Sequence, residues 1–285
     1  MFIETEELTH IYSPGTPWKC AALKGINLSL ERGSFVLITG PSGSGKSTLV
    51  QHFNGLLSPS SGRVMVNGQQ LGPGKQLRQV RRQVGLVFQI PEQQFFSETV
   101  YDEVAFAPVN LDLTPGEVTA RVENSLQLVG LDYKQLKGRS PFDLSAGQQR
   151  LVAIASVLAL NPEALILDGP TAGLDSGGRQ QLAGLLKQLH RREGFTVIVV
   201  SHRLEEFAAL ADLILVLDQG RLVISGSAEQ VLSNPDFWQR YNLYLPSVTD
   251  IMHRLALSGA EVSTAVFDLQ AARKEIISWW RRGCG

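Results

Sequence analysis

The sequence predicts an α/β protein: a mostly parallel sheet with helices on its faces, an antiparallel β part, a helical insert and a small C-terminal domain. Three observations carry this expectation. An apolar run of strand length, Phe35–Thr39, empties into a glycine-rich turn that leads into a helical segment. From Ala164 to Leu217, strand and helix signals alternate in the rhythm of βαβ units, which build parallel sheets. Between these two stretches, from about Thr99 to Ala159, helical signals dominate.

Taken in order, the chain begins with β-like alternation, and Gly33-Ser34 leads into the Phe35–Thr39 strand. Leu49–Leu57 reads as a helix closing near Gly55. Arg63–Val66, the Asn67-Gly68 turn and Gln69–Leu71 form a hairpin pattern, and Val84–Phe88 is a buried-strand candidate. Thr114-Pro115-Gly116-Glu117 has a capping-box pattern with proline at the first helical position, and Gly130 ends that helix. Expected strands are Ala164–Leu167, Phe195–Val200, Leu213–Leu217 and Arg221–Ser225, and expected helices Gly177–Arg192 and Leu204–Leu210. Composition shifts near Pro235. Asn242–Pro246 reads as a link, Val248–Leu257 as a helix, and Ala271–Arg282 as an amphipathic helix with Ala272, Ile276 and Trp280 on one face. The domain expectation is therefore 1–234, with the helical insert at about 95–160, and 235–285.

Composition narrows the function classes. Apolar residues at 44% and charged residues at 19% suit a well-cored globular chain. A net charge of −1 gives a nucleic-acid partner no electrostatic support. Cys20 and Cys284, the two cysteines, make neither a disulfide scaffold nor a metal cluster and fit a reducing cytosol. The N-terminus lacks the basic and apolar regions of a signal peptide. The longest apolar stretch, 151–160, stops at Asn161-Pro162, short of the roughly 20 residues that span a bilayer. A soluble chain is expected, with any membrane role exercised through another protein.

Gly40-Pro41-Ser42-Gly43-Ser44-Gly45-Lys46-Ser47-Thr48 fits the phosphate-binding pattern G-x-x-x-x-G-K-[ST], with a strand before it and a helix after it. Glycines there let backbone N–H groups converge on phosphate oxygens, and the helix N-terminus adds a favourable dipole. Lys46 would reach the β- and γ-phosphates and Ser47 would hold Mg²⁺. The alternative is a plain glycine turn, which leaves the lysine and serine unexplained.

Further motifs follow in order. Leu144-Ser145-Ala146-Gly147-Gln148-Gln149-Arg150 is a helix start, with Ser145 as N-cap and Gln148 completing a capping box. Ala164–Asp168 is an apolar strand ending in an acid. Pro170–Asp175 follows it, Ser201-His202 ends a later strand, and Gln89 ends Val84–Phe88. Alone, Gln89 or His202 would be an ordinary satisfied polar group. In this order and spacing the set resembles the ATPases of ABC transporters, over roughly residues 2–230. The resemblance implies ATP and Mg²⁺ as ligands, a stack of Tyr12 on adenine, a Mg²⁺ site from Ser47, Gln89 and Asp168, a D-loop role for Asp175 and a switch role for His202. It also implies head-to-tail pairing of two subunits, so that Ser145, Gly147 and Gln148 serve the partner's nucleotide.

One position departs from the family pattern. A glutamate that polarises the attacking water normally follows the Walker B aspartate, and here that place is Gly169. Glycine has no group to accept a proton, and general-base assistance is typically worth 10²–10⁴-fold. The chain could be the degenerate half of a heterodimer, which is the reading preferred here, or a slow homodimer, or an engineered trap.

Phe88–Phe96 and Thr99–Pro108 resemble a narrower branch, the energy-coupling factor (ECF) transporter ATPases, as does Leu245-Pro246-Ser247-Val248-Thr249 before a helix ending near Gly259. That branch implies a second ATPase subunit (a paralogue), a transmembrane scaffold protein and a small membrane protein that captures a vitamin, cobalt or nickel. It places the chain on the cytoplasmic face of the membrane. The stretch Gln89–Phe106 would take the scaffold's coupling helices, with Glu92 as candidate partner of an arginine; a solvated loop acid is the equal alternative. The C-terminal piece would contact the other ATPase subunit. Rival readings are an ATPase subunit of another ABC transporter and a non-hydrolysing partner that uses ATP as dimer glue.

Overall fold

The computed structural model describes residues 1–72, 74–90, 94–232, 235–241 and 245–283. Glu92, Cys284 and residues Asn242–Tyr244 of the expected link lie outside the described residues.

In chain order the strands are β1 (Ile3–Tyr12), β2 (Cys20–Leu30), β3 (Phe35–Thr39), β4 (Ser61–Val66), β5 (Gln69–Gln70), β6 (Val84–Val87), β7 (Ala164–Asp168), β8 (Thr196–Val200), β9 (Leu213–Asp218) and β10 (Arg221–Gly226). They form two sheets, one antiparallel in the order β2-β1-β4-β5 and one of six strands in the order β10-β9-β3-β8-β7-β6. In the larger sheet β9, β3, β8, β7 and β6 run parallel, and β10 returns antiparallel on β9. The β4–β5 turn has Asn67 at φ 51° and Gly68 at φ 72°, the paired positive φ angles of a tight hairpin.

The helices are α1 (Lys46–Phe53), α2 (Lys75–Gln83), α3 (Val100–Val109), α4 (Pro115–Leu128), α5 (Tyr133–Leu136), α6 (Ala146–Leu158), α7 (Ser176–Glu193), α8 (Leu204–Phe207), α9 (Ala228–Leu232), α10 (Pro235–Arg240), α11 (Ser247–Leu257) and α12 (Leu269–Gly283). None of them is long and apolar enough to cross a membrane.

The central strands are apolar at nearly every position because both faces of the sheet are covered, with Thr39, Asp168 and Thr196 as exceptions at strand ends. Their side chains alternate between two cores. Phe35, Leu37, Leu165, Leu167, Val197, Val199, Ile214 and Val216 join the core shared with α3, α4, α6 and α7. Val36, Ile38, Ile166, Ile198, Leu215 and Leu217 join the core shared with α1 and the antiparallel sheet. A third, small core of Met252, Val266 and Ala272 holds α11 and α12 together. Trp238 and Phe267, beyond the expected boundary at 235, pack with the large core.

Both predicted capping devices form. Thr114 and Glu117 cap each other at the start of α4, and Gly130 follows its end at φ 78°. Three differences from expectation have physical causes. The helix expected at Leu49 begins at Lys46, since its first turn is polar and carries no apolar periodicity. The segment 204–210 is α-helical to Phe207 and tightens to a 3₁₀ turn at Ala208–Leu210. The helix α2 was not expected, being rich in Lys, Arg and Gln with Leu77 and Val80 as its apolar residues. On α12, Ala272 is buried and Ile276 packs beside it, whereas Trp280 is 63% exposed.

Ile154 of α6 is fully buried in the core joining the helical insert to the sheet. Ile154→Ala should lower unfolding free energy by about 2–5 kcal/mol in a urea titration followed by circular dichroism. A loss below about 1 kcal/mol would contradict this packing.

Candidate active site

At the end of β3 the chain turns through Gly40–Gly45 into α1, and glycine is required at two points of that turn. Gly40 lies at φ 144°, and a Cβ there would stand 2.0 Å from the Leu217 carbonyl oxygen. Gly45 lies at φ 101°, and a Cβ there would stand 2.5 Å from the Ala22 carbonyl oxygen. Gly43 faces open space. Pro41, Ser42 and Ser44 complete the loop, and the Gly220 amide of the β9–β10 turn donates to the Ser44 carbonyl at 3.1 Å.

Lys46 is 6% exposed. Its Nζ donates to the carbonyls of Gly40 (3.0 Å) and Pro41 (2.8 Å) and to Ser44 Oγ (3.3 Å). Burial lowers its pKa from 10.5 to about 8, with attraction to Asp168 opposing the shift. Ser47 is exposed in the first turn of α1, and Thr48 Oγ1 lies 3.2 Å from the Tyr12 hydroxyl. The Tyr12 ring also stands edge-on to His10 at 4.5 Å, and His10 bonds the buried His52. A cleft of about 360 Å³ beside the loop is lined by Tyr12, Cys20, Ala22, Gly43, Lys46 and Ser47 among others.

Asp168 ends β7 in register with Val200 of β8. His202 follows β8. Its pKa is lowered by burial first and then by the charge of Lys46, while the Gly40 carbonyl and Asp168 pull the other way. The imidazole is therefore neutral at pH 7, able to donate from one nitrogen and accept at the other. Gln89 follows β6 and lies against Gly169, where an added Cβ would be 3.1 Å from Gln89 Cγ. A cavity of about 280 Å³ beside Gly169 is lined by Gln89, Thr171, Arg179, Ser201 and His202 among others, and among the described residues no Asp or Glu lines it. Asp175 Oδ1 accepts the Gly178 amide at 2.7 Å as N-cap of α7, so this carboxylate is already engaged.

The expected residues thus gather in two places. Tyr12, the loop, Lys46, Ser47 and Thr48 form one group, with Asp168 and His202 electrostatically tied to it; Gln89 and Gly169 lie at the second cavity with His202. Ser145, Gly147 and Gln148 line neither cavity. They sit at the start of α6, where Ser145 and Gln148 form both arms of the expected capping box. Among the described residues no group of three or more His, Cys, Asp or Glu could hold a metal. One carboxylate and a hydroxyl beside a phosphate cradle suit Mg²⁺, which is usually bound through few protein ligands together with water and substrate phosphates. Sequence reasoning missed Lys24, Ala22 and Gln219 as cleft residues; the positive-φ glycine at 220, which a Cβ would press to 2.7 Å from the Ala22 carbonyl, was their one visible signal. It also missed Arg150 and Glu206, which act on loop carbonyls and a hydroxyl and leave no pattern in sequence.

A strand–glycine loop–helix unit inside a parallel sheet, with an acid ending a nearby strand, defines a P-loop ATPase. Residues 23–172 match the family described as ABC transporter. The energy-coupling factor transporter ATP-binding protein EcfA2 of Clostridium perfringens is 43% identical over 278 residues, covering 97% of this chain and 98% of that protein. The protein of the same name from Streptococcus sanguinis is 44% identical over 266 residues, covering 92% and 95%. Among solved structures, CbiO1 of Clostridium perfringens, part of the ABC transporter complex CbiONQ, superposes with a TM-score of 0.75 at 38% identity, covering 88% of this chain and 98% of that one. The ATP-binding cassette MJ0796, dimeric with ADP and Pi, gives 0.71 at 31%, covering 79% and 98%. The chain belongs to the ABC transporter family, among the energy-coupling factor transporter ATP-binding proteins, and is an ATPase subunit of that kind.

Three outcomes follow from the cleft. Above pH 8 the free protein sheds the Lys46 proton that a phosphate ligand would require, so the Kd for MgATP should rise about tenfold per pH unit in titration calorimetry. A flat profile to about pH 9.5 would rule this out. Folding stability moves the other way: between about 8 and 10.5 the unfolded chain holds the Lys46 proton and the folded chain does not, so stability rises with pH. Cys20 lines the cleft and is exposed, so MgATP should slow its alkylation by maleimide, read by peptide mass spectrometry. An unchanged rate would place the nucleotide elsewhere.

Proposed function

We propose that this chain binds MgATP on its own P-loop while lending the start of α6 to a second, paralogous ATPase whose site carries most of the hydrolysis. The pair energises an ECF-type importer of a vitamin or transition-metal ion. The loop amides and Lys46 hold the β- and γ-phosphates, and Tyr12, braced by Thr48 and His10, stacks on adenine. Ser47, Gln89 and Asp168 hold Mg²⁺, which neutralises charge on the β- and γ-oxygens. His202, neutral at pH 7, orients on the γ-phosphate side. At the α6 start the capping box engages the Gln148 amide. Among the described hydrogen bonds, the Ala146 and Gly147 amides have no acceptor, a favourable end for the partner's γ-phosphate.

The observation that carries the asymmetric reading is Gly169. No side chain projects there, among the described residues no carboxylate lines the neighbouring cavity, and Asp175 is engaged at a helix cap. Loss of general-base assistance follows, while phosphate binding keeps all its groups. The membrane partner is a scaffold that docks its coupling helices along 89–106, where Phe96 and Phe106 are exposed and meet edge to face at 4.8 Å. Glu92 remains the proposed arginine partner there. Exposed Ile251, Leu257 and Trp280 suit the C-terminal piece to subunit contact. A separate small membrane protein captures the cargo, the chain works at the cytoplasmic face, and nucleic acid has no part.

The chain alone should hydrolyse ATP about 10²–10⁴-fold more slowly than the reconstituted pair. Robust turnover alone would refute the asymmetric reading. Gly169→Glu should raise the solitary rate by less than that full factor: φ at 169 is +57°, and left-handed backbone costs a side-chain-bearing residue about 1–2 kcal/mol. Copurification of a small integral-membrane vitamin or metal binder separates an ECF importer from another ABC transporter.

A further inference from the structure

Arg150 lies on α6 five residues after the helix cap Ser145 and is 3% exposed. Its guanidinium spans two loops. Nη1 donates to the Gln89 carbonyl at 2.7 Å, and Nη2 donates to the Ala172 carbonyl at 3.1 Å. Gln89 opens the segment that follows β6, and its side chain covers Gly169. Ala172 lies three residues before Asp175. One buried cation therefore joins the helix whose start lines neither of this chain's two cavities to both loops that border its Gly169 cavity.

The Ala172 side of the bridge is held from behind as well. Thr171 Oγ1 donates to Glu206 Oε2 at 2.7 Å. Glu206 Oε1 in turn lies 3.3 Å from Arg179 Nε and 3.7 Å from Nη1 of Arg203, the residue after His202. A displacement of the α6 start thus has a route of hydrogen bonds through Arg150, Ala172, Thr171 and Glu206, completed by the Glu206–Arg203 ion pair, to the His202 segment. The planar fork of an arginine suits this task, since it fixes two acceptors at a set separation and stays charged at any working pH. A lysine ammonium is a point donor on a flexible stem and cannot hold both carbonyls in one geometry.

We propose that Arg150 is a positioning residue for ATP hydrolysis. It ties engagement of Ser145, Gly147 and Gln148 on the partner's nucleotide to the placement of Gln89 and Asp175 beside this chain's own. The two sites of the pair are then mechanically linked within each subunit. The inference rests on the head-to-tail pairing proposed above.

The test uses the assembled ATPase pair with MgATP and the variants Arg150→Lys and Arg150→Met. Because the partner's site carries most of the pair's turnover, the readout is the loops of this chain, and KM for ATP should stay within about twofold. In wild type, hydrogen exchange should show residues 145–150 and 171–175 gaining protection together on MgATP addition. In the variants the first segment should gain it without the second. Joint protection of both segments in either folded variant would overturn the proposal, and so would protection of 145–150 without 171–175 in the wild type. If Arg150→Met fails to fold, Arg150→Lys decides, and if neither folds the wild-type exchange decides. Absence of any MgATP-dependent protection at 145–150 in wild type would instead refute the head-to-tail pairing itself.

Discussion

The close approach of three backbone segments around residues 40–45 is the constraint on which the rest of the molecule depends. The loop passes so near the Leu217 and Ala22 carbonyls that any side chain at Gly40 or Gly45 would collide with main chain. Gly220 on the β9–β10 turn closes the same junction, with its amide on Ser44 and its carbonyl accepting from Lys24. The junction fixes where the two sheets meet. It also fixes where the ammonium of Lys46 can lie, and hence why that ammonium is buried enough to titrate near 8. Architecture and electrostatics at the site are one consequence of three glycines.

Around that junction the charges are sparse and mutually dependent. Burial lowers the pKa values of Lys46 and His202, the charge of Lys46 further disfavours protonated His202, and Asp168 raises both. No second acid compensates at the position after Asp168, and the nearby carboxylates have structural partners: Asp175 caps α7, and Glu206 takes the Thr171 hydroxyl between two arginines. In the proposed reading the groups that grip phosphate are complete and the group that would activate water is missing, which makes binding and hydrolysis separable.

Much of this was legible in the sequence because it is periodic or local. The alternation of Phe35–Thr39 and Thr196–Val200 between two cores, the Asn67-Gly68 hairpin and the capping boxes at Thr114 and Ser145 are each written in a few adjacent residues. The loop residues from Gly40 to Thr48 were likewise found where their pattern put them. What escaped was non-local or featureless. The polar helix α2 has only Leu77 and Val80 as apolar residues and so offers little apolar content to mark it. Trp280 shares a helical face with Ala272 and Ile276, yet the small third core is too short to cover it. Arg150 and Glu206 work through main-chain carbonyls and a hydroxyl far away in sequence, and a carbonyl has no letter in the alphabet of side chains.

Gly169 has a historical consequence. Its backbone is left-handed, its amide donates to Val200, its carbonyl accepts from Ala172, and the following segment is fastened by Arg150 and Glu206. The position is not an empty socket awaiting a side chain, because the surrounding bonds have settled around glycine. A lineage can reach this state by one substitution, but leaving it asks for a change of backbone as well as of codon. The proposed division of labour between paired subunits would then be self-preserving: with the chemistry in the neighbour, the geometry at 169 acts as a ratchet against taking it back.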